Sequence, residues 1–183
     1  MQDTSGDKQV LYYWNAIGNQ PVKSDNGYGR YYSYYTRRSN SYTYAYHDFY
    51  PVLQDSNNYI QVRLYYKYLQ VYRRYQGTTT KLYEENVYSH TGWWCYDWQQ
   101  VEIEIFTYIY YYSWYLGMYV SRKAEYSQYT SPLITLGGPF AYGYSYMSGP
   151  IAIGFRGGWS SGNYGYAYWD NIKVSQIPTG GLL

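Results

Sequence analysis

The strongest constraint on the fold of this chain is an alternation of apolar and polar residues with a period of two. Within Val101–Ile105, three apolar side chains alternate with those of Glu102 and Glu104. Tyr59–Leu64 and Leu69–Arg73 repeat the pattern, with a short connection between them. Because successive residues of a β-strand point to opposite faces, these segments predict strands that are buried on one side. The last two segments predict a β-hairpin.

Further short segments of the same kind run along the whole chain. They are Val10–Trp14, Lys81–Tyr83, Tyr108–Tyr112 followed by Trp114–Leu116, Ile151–Phe155, Tyr164–Trp169 and Ile172–Val174. No window of eleven residues has helical spacing, and Gly residues fall between the segments, where turns need them. The pattern predicts one all-β domain over residues 1–183, an antiparallel β-sandwich. Residues 1–9 and 176–183 are expected to be flexible or assembly-contacting termini.

Composition excludes several other classes of protein. With 34 Tyr, 25% aromatic residues and only 14% charged residues, the chain is unlike a disordered segment or a coiled coil. The net charge of +2 gives no electrostatic footprint for nucleic acid. No apolar run approaches the roughly 18 residues of a membrane span. The basic pairs Arg37-Arg38, Arg73-Arg74 and Arg122-Lys123 are interpreted as solvated turns or strand faces.

Four sequence blocks between Asp55 and Ser175 carry a family resemblance. They are Asn57–Leu64; Leu69–Arg73 with Gly77–Thr79; Trp98–Ile105; and Gly149–Phe155 with Tyr168–Val174. In order and spacing they resemble the concanavalin A-like lectin/glucanase jelly-roll superfamily, and within it the laminin-G- and pentraxin-like extracellular modules. The closing block, Tyr-Trp-Asp-Asn-Ile-Lys-Val, is the most specific. The resemblance implies a jelly-roll sandwich.

Paired carboxylates raise the question of catalysis, because retaining glucanases share the implied fold. Glu102 and Glu104 project from the same face of one predicted strand. Retaining hydrolysis needs a second carboxyl group about 5 Å from the nucleophile. The glucanase pattern that the resemblance suggests has its acid/base at the position of Thr107, which carries no carboxyl group. We therefore expect two solvated Glu residues, with Glu102 and Glu104 catalytic only if the chain is a glucanase.

Aromatic side chains suggest a second kind of site, because an exposed Tyr or Trp offers a flat apolar face on which a sugar ring stacks. The candidate carbohydrate-binding residues are Trp93, Trp94, Arg156, Trp159, Asn163, Tyr164 and Tyr166. The competing interpretation is structural, since Tyr is a strong strand former and cross-strand aromatic pairs stabilise sheets.

A structural calcium ion is implied by the resemblance. In similar carbohydrate-binding modules the Asp of the closing block helps to hold calcium, and that residue matches Asp170 here. Asp3 and Asp7 are the candidate partners, because calcium prefers carboxylate and carbonyl oxygen. The alternative is that Asp170 caps a turn. No other cofactor is expected.

The density of Tyr also predicts self-association, since contiguous exposed aromatic patches mark interfaces. Contacts are expected at Lys8–Trp14, at Leu182-Leu183 or in the Tyr runs 110–112 and 142–146. The low charge and the heavy use of Tyr, Ser, Thr, Asn and Gly favour a mature extracellular chain without a signal peptide. The composition also resembles Tyr-rich cell-surface proteins of hyperthermophilic archaea. The sequence thus predicts a non-catalytic structural or adhesive protein that forms a filament, sheath or surface array. The alternatives are a glycan-binding, lectin-like module and, next, a glycoside hydrolase of glucanase type.

Overall fold

The chain folds into two antiparallel β-sheets that pack face to face. The computed structural model describes residues 2–3, 8–14, 28–38, 45–65, 67–91, 98–111, 113–124, 127–136, 151–157 and 165–178. Within these residues one sheet has seven strands and the other has six. The prediction of an all-β antiparallel sandwich is therefore confirmed.

The larger sheet runs in the order β1-β13-β3-β8-β9-β10, and β11 pairs with β9 as well. Its strands are β1 (Gln2–Asp3), β3 (Tyr28–Arg38), β8 (Gln99–Tyr110), β9 (Ser113–Ala124), β10 (Ser127–Thr130), β11 (Ile134–Thr135) and β13 (Gly165–Pro178). The pairing of β8 with β9 is a hairpin, which is one of the two arrangements that the segments Tyr108–Tyr112 and Trp114–Leu116 allow, the other being consecutive strands.

The smaller sheet runs in the order β2-β12-β4-β5-β6-β7. Its strands are β2 (Lys8–Trp14), β4 (Ala45–Asp55), β5 (Asn58–Tyr65), β6 (Tyr68–Tyr75), β7 (Thr78–Asn86) and β12 (Ile151–Gly157). The predicted hairpin is formed by β5 and β6, with Val62 opposite Val71. A single helical turn, α1 (Tyr88–Thr91), follows β7. Among the described residues no helix is long and apolar enough to cross a membrane.

The core lies between the sheets and is built from alternate strand positions. Val101, Ile103 and Ile105 of β8 are fully buried, as their spacing predicted. Across the interface, Tyr32 and Phe49 meet edge to face with ring centroids 5.5 Å apart. This alternation leaves the intervening residues of each strand on the opposite face, and in the larger sheet that face is polar.

Two tight turns lie side by side at one end of the smaller sheet. Gln76 and Gly77, which connect β6 and β7, both have positive φ angles (47° and 81°), as a two-residue hairpin turn of type I′ requires. Asp55 closes the neighbouring turn by accepting the backbone N–H of Asn57 and the side-chain amide of Asn58. Asn58 Oδ1 in turn accepts the N–H of Gln76 at 3.0 Å, which joins the two turns.

One interpretation of the sequence is wrong. Arg122 is buried, not solvated, because it is in phase with the inward-facing Met118 and Val120 of β9. Its Nε donates a hydrogen bond to Oε1 of Gln99 at 2.7 Å. Of the segments assigned to the termini, residues 8–9 belong to β2 and residues 176–178 to β13.

Candidate functional site

The outer side of the larger sheet carries a continuous set of polar and aromatic side chains, which we call the polar face. Strand register brings them together from five strands. They are Tyr31, Ser33, Tyr35 and Arg37 on β3; Trp98, Gln100, Glu102, Glu104 and Phe106 on or next to β8; Tyr119, Ser121 and Lys123 on β9; Gln128 and Thr130 on β10; and Tyr168, Asp170, Lys173 and Ser175 on β13.

A hydrogen-bond network occupies the centre of the polar face. Lys123 Nζ lies 2.7 Å from Oε2 of Glu102, and Gln100 Nε2 donates to Oε1 of the same carboxylate at 3.0 Å. Gln100 Nε2 also donates to Ser33 Oγ. The hydroxyl of Tyr35 donates to Gln100 Oε1 at 3.2 Å. The carboxylate of Glu102 is thus paired with a cation and held in place by its neighbour on the strand.

Glu104 of β8 and Tyr31, which lies opposite it in β3, have raised pKa values. Burial, and then the negative charge of Glu102, raises the pKa of Glu104, while Lys123 acts in the opposite direction. Burial, followed by the hydrogen bond and charge of Glu102, raises the pKa of Tyr31 to about 12. The predicted solvation of the Glu pair is therefore incomplete: both residues are half-buried, and Glu102 is engaged in an ion pair.

At one end of the polar face, three side chains form a stack that we call the aromatic clamp. The guanidinium carbon of Arg37 lies 4.9 Å from the ring centroid of Trp98 and 4.8 Å from that of Tyr168. The two rings are 6.4 Å apart. Strand register brings the three side chains together. Arg37 is opposite Tyr168 of β13, and its neighbour Thr36 is opposite Gln99, the residue that follows Trp98.

The clamp and its neighbour Tyr35 are the most prominent exposed aromatic cluster in the described part of the chain. Trp98 is 44% exposed, Tyr35 is 38% exposed and Tyr168 is 37% exposed. Five large apolar or aromatic side chains are exposed among the described residues, and three of them are gathered here; the others are Tyr111 and Leu133. A patch of this kind marks a binding site more often than a random surface does.

Most of the carbohydrate-binding residues chosen from the sequence lie outside the described residues. These are Trp93, Trp94, Trp159, Asn163 and Tyr164. The backbone of Arg156 lies in β12 and that of Tyr166 in β13, opposite Gln2. The two residues therefore belong to different sheets, while their side chains are outside the described part of the chain.

The calcium prediction receives no support from the residues described. Asp170 is exposed, and its Oδ1 accepts the backbone N–H of Asn171 at 2.8 Å, which is the turn-capping alternative. No group of three acidic, His or Cys side chains suited to a metal occurs within the described ranges. Asp3 is described only as a backbone position in β1, and Asp7 lies outside the described residues. Calcium binding stays a prediction.

Sequence reasoning missed the aromatic clamp. In the sequence, Trp98 stands out only within the block that resembles the lectin superfamily, and Arg37 only as half of a basic pair. The alternation around Tyr168 predicts an ordinary strand residue. The alternation along β13 could have indicated that Tyr168 is exposed, because Trp169 packs on the core and its neighbour Tyr168 points to the opposite face.

Comparison with known proteins bears on the fold. No protein-family model matches the sequence, and neither does any curated protein. The structure is similar to the carbohydrate-binding module CBM66 from Bacillus subtilis, with a TM-score of 0.52, 8% identity, and coverage of 94% of this chain and 84% of that one. It is also similar to a mutant of the GH43 protein BlXynB from Bacillus licheniformis, with a TM-score of 0.51, 12% identity and coverage of 82% of this chain.

The chain spans only 27% of the length of that GH43 protein. At such low identities these likenesses show the fold alone, a β-sandwich of the kind used by carbohydrate-binding and hydrolase modules. They are compatible with the resemblance to the concanavalin A-like superfamily, which no family model confirms.

Proposed function

We propose that this chain is a non-catalytic carbohydrate-binding module that holds a glycan on the polar face. One observation carries the proposal: the exposed rings of Trp98 and Tyr168, with Tyr35 beside them, are fixed on a surface that is rich in hydrogen-bonding side chains. The similarity in fold to a carbohydrate-binding module supports it. The same proposal includes an extracellular location, where the module binds its glycan.

Sugar rings need two kinds of contact, and both are present on this face. The apolar side of a pyranose stacks on an aromatic ring, while its hydroxyl groups need directed donors and acceptors. Trp98 and Tyr168 offer the rings. Gln100 lies beside them, and Asp170 follows two residues after Tyr168 on the same face. Because the strands are rigid, little conformational entropy is lost on binding.

The proposal is tested by glycan binding to matched variants. The purified chain is applied to a glycan array, and hits are measured by calorimetry with Trp98→Ala and Tyr168→Ala. Truncating a central aromatic anchor costs on the order of 2 kcal/mol, about thirtyfold in affinity. The control is Tyr111→Asn, which removes an exposed aromatic residue that directly follows the opposite end of β8.

Binding that is lost in both clamp variants and retained in the control supports the proposal. Absence of binding to every glycan on the array, or equal binding by Trp98→Ala and the unaltered chain, contradicts it. Repeating the array with a chelator tests the calcium prediction at the same time, because a required calcium ion makes binding sensitive to the chelator.

A second candidate function is glycoside hydrolysis, favoured by Glu104, whose pKa is raised by burial and then by the charge of Glu102. A carboxyl group with a raised pKa next to a second acidic side chain is the pairing that an acid catalyst needs. Against it, the carboxylate of Glu102 is bound by Lys123 and Gln100. Release of reducing sugar from β-glucans, abolished by Glu104→Gln, is the result that favours the enzyme over the binding module.

The self-association predicted from the density of Tyr has no support in the described residues and stays a prediction. Light scattering of the chain at high concentration checks it: a single monomeric species contradicts a filament, sheath or array.

A further inference from the structure

Arg37 differs from Arg63, Arg73 and Arg122 in the partners of its side chain. Arg63 is paired with Asp48, Arg73 donates to the carbonyl of Leu136, and Arg122 donates to Gln99. For Arg37, the contacts within the described part of the chain are the two aromatic rings of the clamp, with no hydrogen bond or ion pair. Its Nε is buried without a hydrogen-bond partner among these residues.

The other charges on the polar face do not neutralise Arg37. Glu102 is taken by Lys123 at 2.7 Å. Asp170 is the acidic residue nearest in register, opposite Tyr35, but no Arg37–Asp170 ion pair occurs among the described side chains. Lys173, opposite Ser33, adds a second cation on the same strand as Asp170. A fixed guanidinium is thus presented at an aromatic site without a carboxylate of its own.

We infer that the aromatic clamp binds glycans that carry carboxylate groups, with a uronic acid carboxylate seated on the guanidinium of Arg37. The inference deepens the proposed function and rests on it. Arg37 supplies the charge contact, and Trp98 and Tyr168 supply the stacking contact.

The chemistry of the guanidinium favours a carboxylate over other groups. Its planar fork of N–H donors matches the two oxygens of a carboxylate, and such bidentate pairs are among the strongest hydrogen bonds in proteins. The rings on Arg37 hold this fork in one orientation, which reduces the entropy lost on binding. A lysine would offer a point charge without this geometry.

The surrounding charges favour a ligand of moderate charge density. Glu102, Glu104 and Asp170 share the face with Arg37, so a polyanion with closely spaced charges meets repulsion there. A polyuronate carries one carboxylate on each sugar, and the uncharged part of the ring remains free to stack. A heavily sulfated glycan is therefore a weaker ligand.

The test uses affinity electrophoresis and calorimetry with three probes on the intact chain: polygalacturonate, its methyl ester and dextran sulfate. We expect binding of polygalacturonate and at least tenfold weaker binding of the ester, which has the same sugars without the charge. Charge-assisted hydrogen bonds are worth about ten- to a hundredfold in affinity, so Arg37→Gln should weaken the binding of polygalacturonate by that factor. Arg37→Lys should cause most of the same loss, because lysine lacks the planar fork of donors. Lys173→Gln, which removes a cation of the same face, is the matched control and should lose less than threefold.

The outcomes separate this inference from the proposed function. Equal binding of acid and ester, equal losses in Arg37→Gln and Lys173→Gln, or tighter binding of dextran sulfate overturns the carboxylate site. If neutral glycans bind through Trp98 and polygalacturonate does not, the proposed function stands and this inference fails. If no glycan binds at all, both fail. Unfolding midpoints are measured for every variant, and because the ester comparison uses the unaltered chain, a misfolded variant does not obscure the result.

Discussion

Arg63 and Asp48 form a two-pronged ion pair across strands β4 and β5. Nε of Arg63 lies 2.7 Å from Oδ1 of Asp48, and Nη2 lies 2.9 Å from Oδ2. The Asp48 side chain is fully buried, while that of Arg63 is 14% exposed. The ring of Tyr72 lies 5.4 Å from the guanidinium carbon of Arg63. An ion pair that is removed from water to this extent stabilises the fold only when its geometry is good. Loss of one partner leaves the other as an uncompensated buried charge.

Removal of one partner should destabilise the fold strongly. Asp48→Ala leaves the half-buried guanidinium of Arg63 without its carboxylate, and breaking a buried pair in this way costs about 3–5 kcal/mol. Urea unfolding followed by circular dichroism measures the loss. The control is Lys81→Gln, which breaks the exposed Lys81–Glu84 pair and should leave the unfolding midpoint almost unchanged. Similar midpoints for both variants would show that the buried pair is not what stabilises this hairpin.

The contribution of Glu104 to the free energy of unfolding should fall as the pH rises. Its pKa is raised in the folded chain by burial and then by Glu102, so ionisation costs more in the folded state than in the unfolded one. The associated stability is present at pH values below the pKa of the unfolded chain and is lost as the pH rises through the higher folded value. Glu104→Gln should therefore raise the unfolding midpoint at neutral pH.

The same substitution should have little effect at about pH 3, where the carboxyl group is protonated in both states. Thermal unfolding at several pH values gives the comparison. Glu85→Gln is a suitable control, since Glu85 lies outside the polar face and next to His90. A stabilisation of Glu104→Gln that is equal at pH 3 and pH 7 would contradict the electrostatic cause.

Substitutions at the two positions of the turn between β6 and β7 should have opposite effects on the stability of the fold. Gly77 has φ +81°, and a Cβ placed there meets Oδ1 of Asn57 at 3.6 Å, an ordinary contact. The cost of Gly77→Ala is therefore backbone strain, about 1–2 kcal/mol. Gln76→Asn should instead stabilise the turn, because Asn adopts positive φ more readily than Gln does. Equal destabilisation by both variants in urea would argue against the type I′ geometry.

The sequence was sufficient to predict most of the sandwich, because its signal is local. Val101, Ile103 and Ile105 alternate without interruption, and each is buried as predicted. The same rule, applied strictly, would have found the buried Arg122, which continues the phase of Met118 and Val120. Arg122 is predicted to be solvated only because basic pairs usually lie on solvated turns or strand faces, whereas its position in the strand places it in the core.

The candidate site could not be predicted in the same way, because its residues are brought together by strand order. Arg37, Trp98 and Tyr168 come from three segments that are adjacent only when β3 lies between β13 and β8. Nothing in the spacing of the sequence indicates that order. The sequence therefore points to aromatic residues that are near one another along the chain, such as Trp93 and Trp94, and carries no sign of a cross-strand cluster.

A final prediction compares one substitution at two positions of β3. The hydroxyl of Tyr32 donates to the backbone carbonyl of Pro51 at 2.7 Å and so links the two sheets inside the core. Tyr32→Phe leaves that buried carbonyl without its donor and should cost about 1–3 kcal/mol in urea unfolding. Tyr35→Phe removes the exposed bond to Gln100 and should cost much less, because water replaces the lost partner.

The difference in the free energy of unfolding between Tyr32→Phe and the unaltered chain should become smaller at alkaline pH. Burial raises the pKa of Tyr32, so the folded state holds a proton that the unfolded state releases near its ordinary value of about 10. The stability that depends on this proton is complete below that value and falls as the pH rises above it. The variant lacks the phenol, so its unfolding free energy should fall less between about pH 9 and pH 11. Parallel curves for the two proteins would contradict a buried, protonated Tyr32.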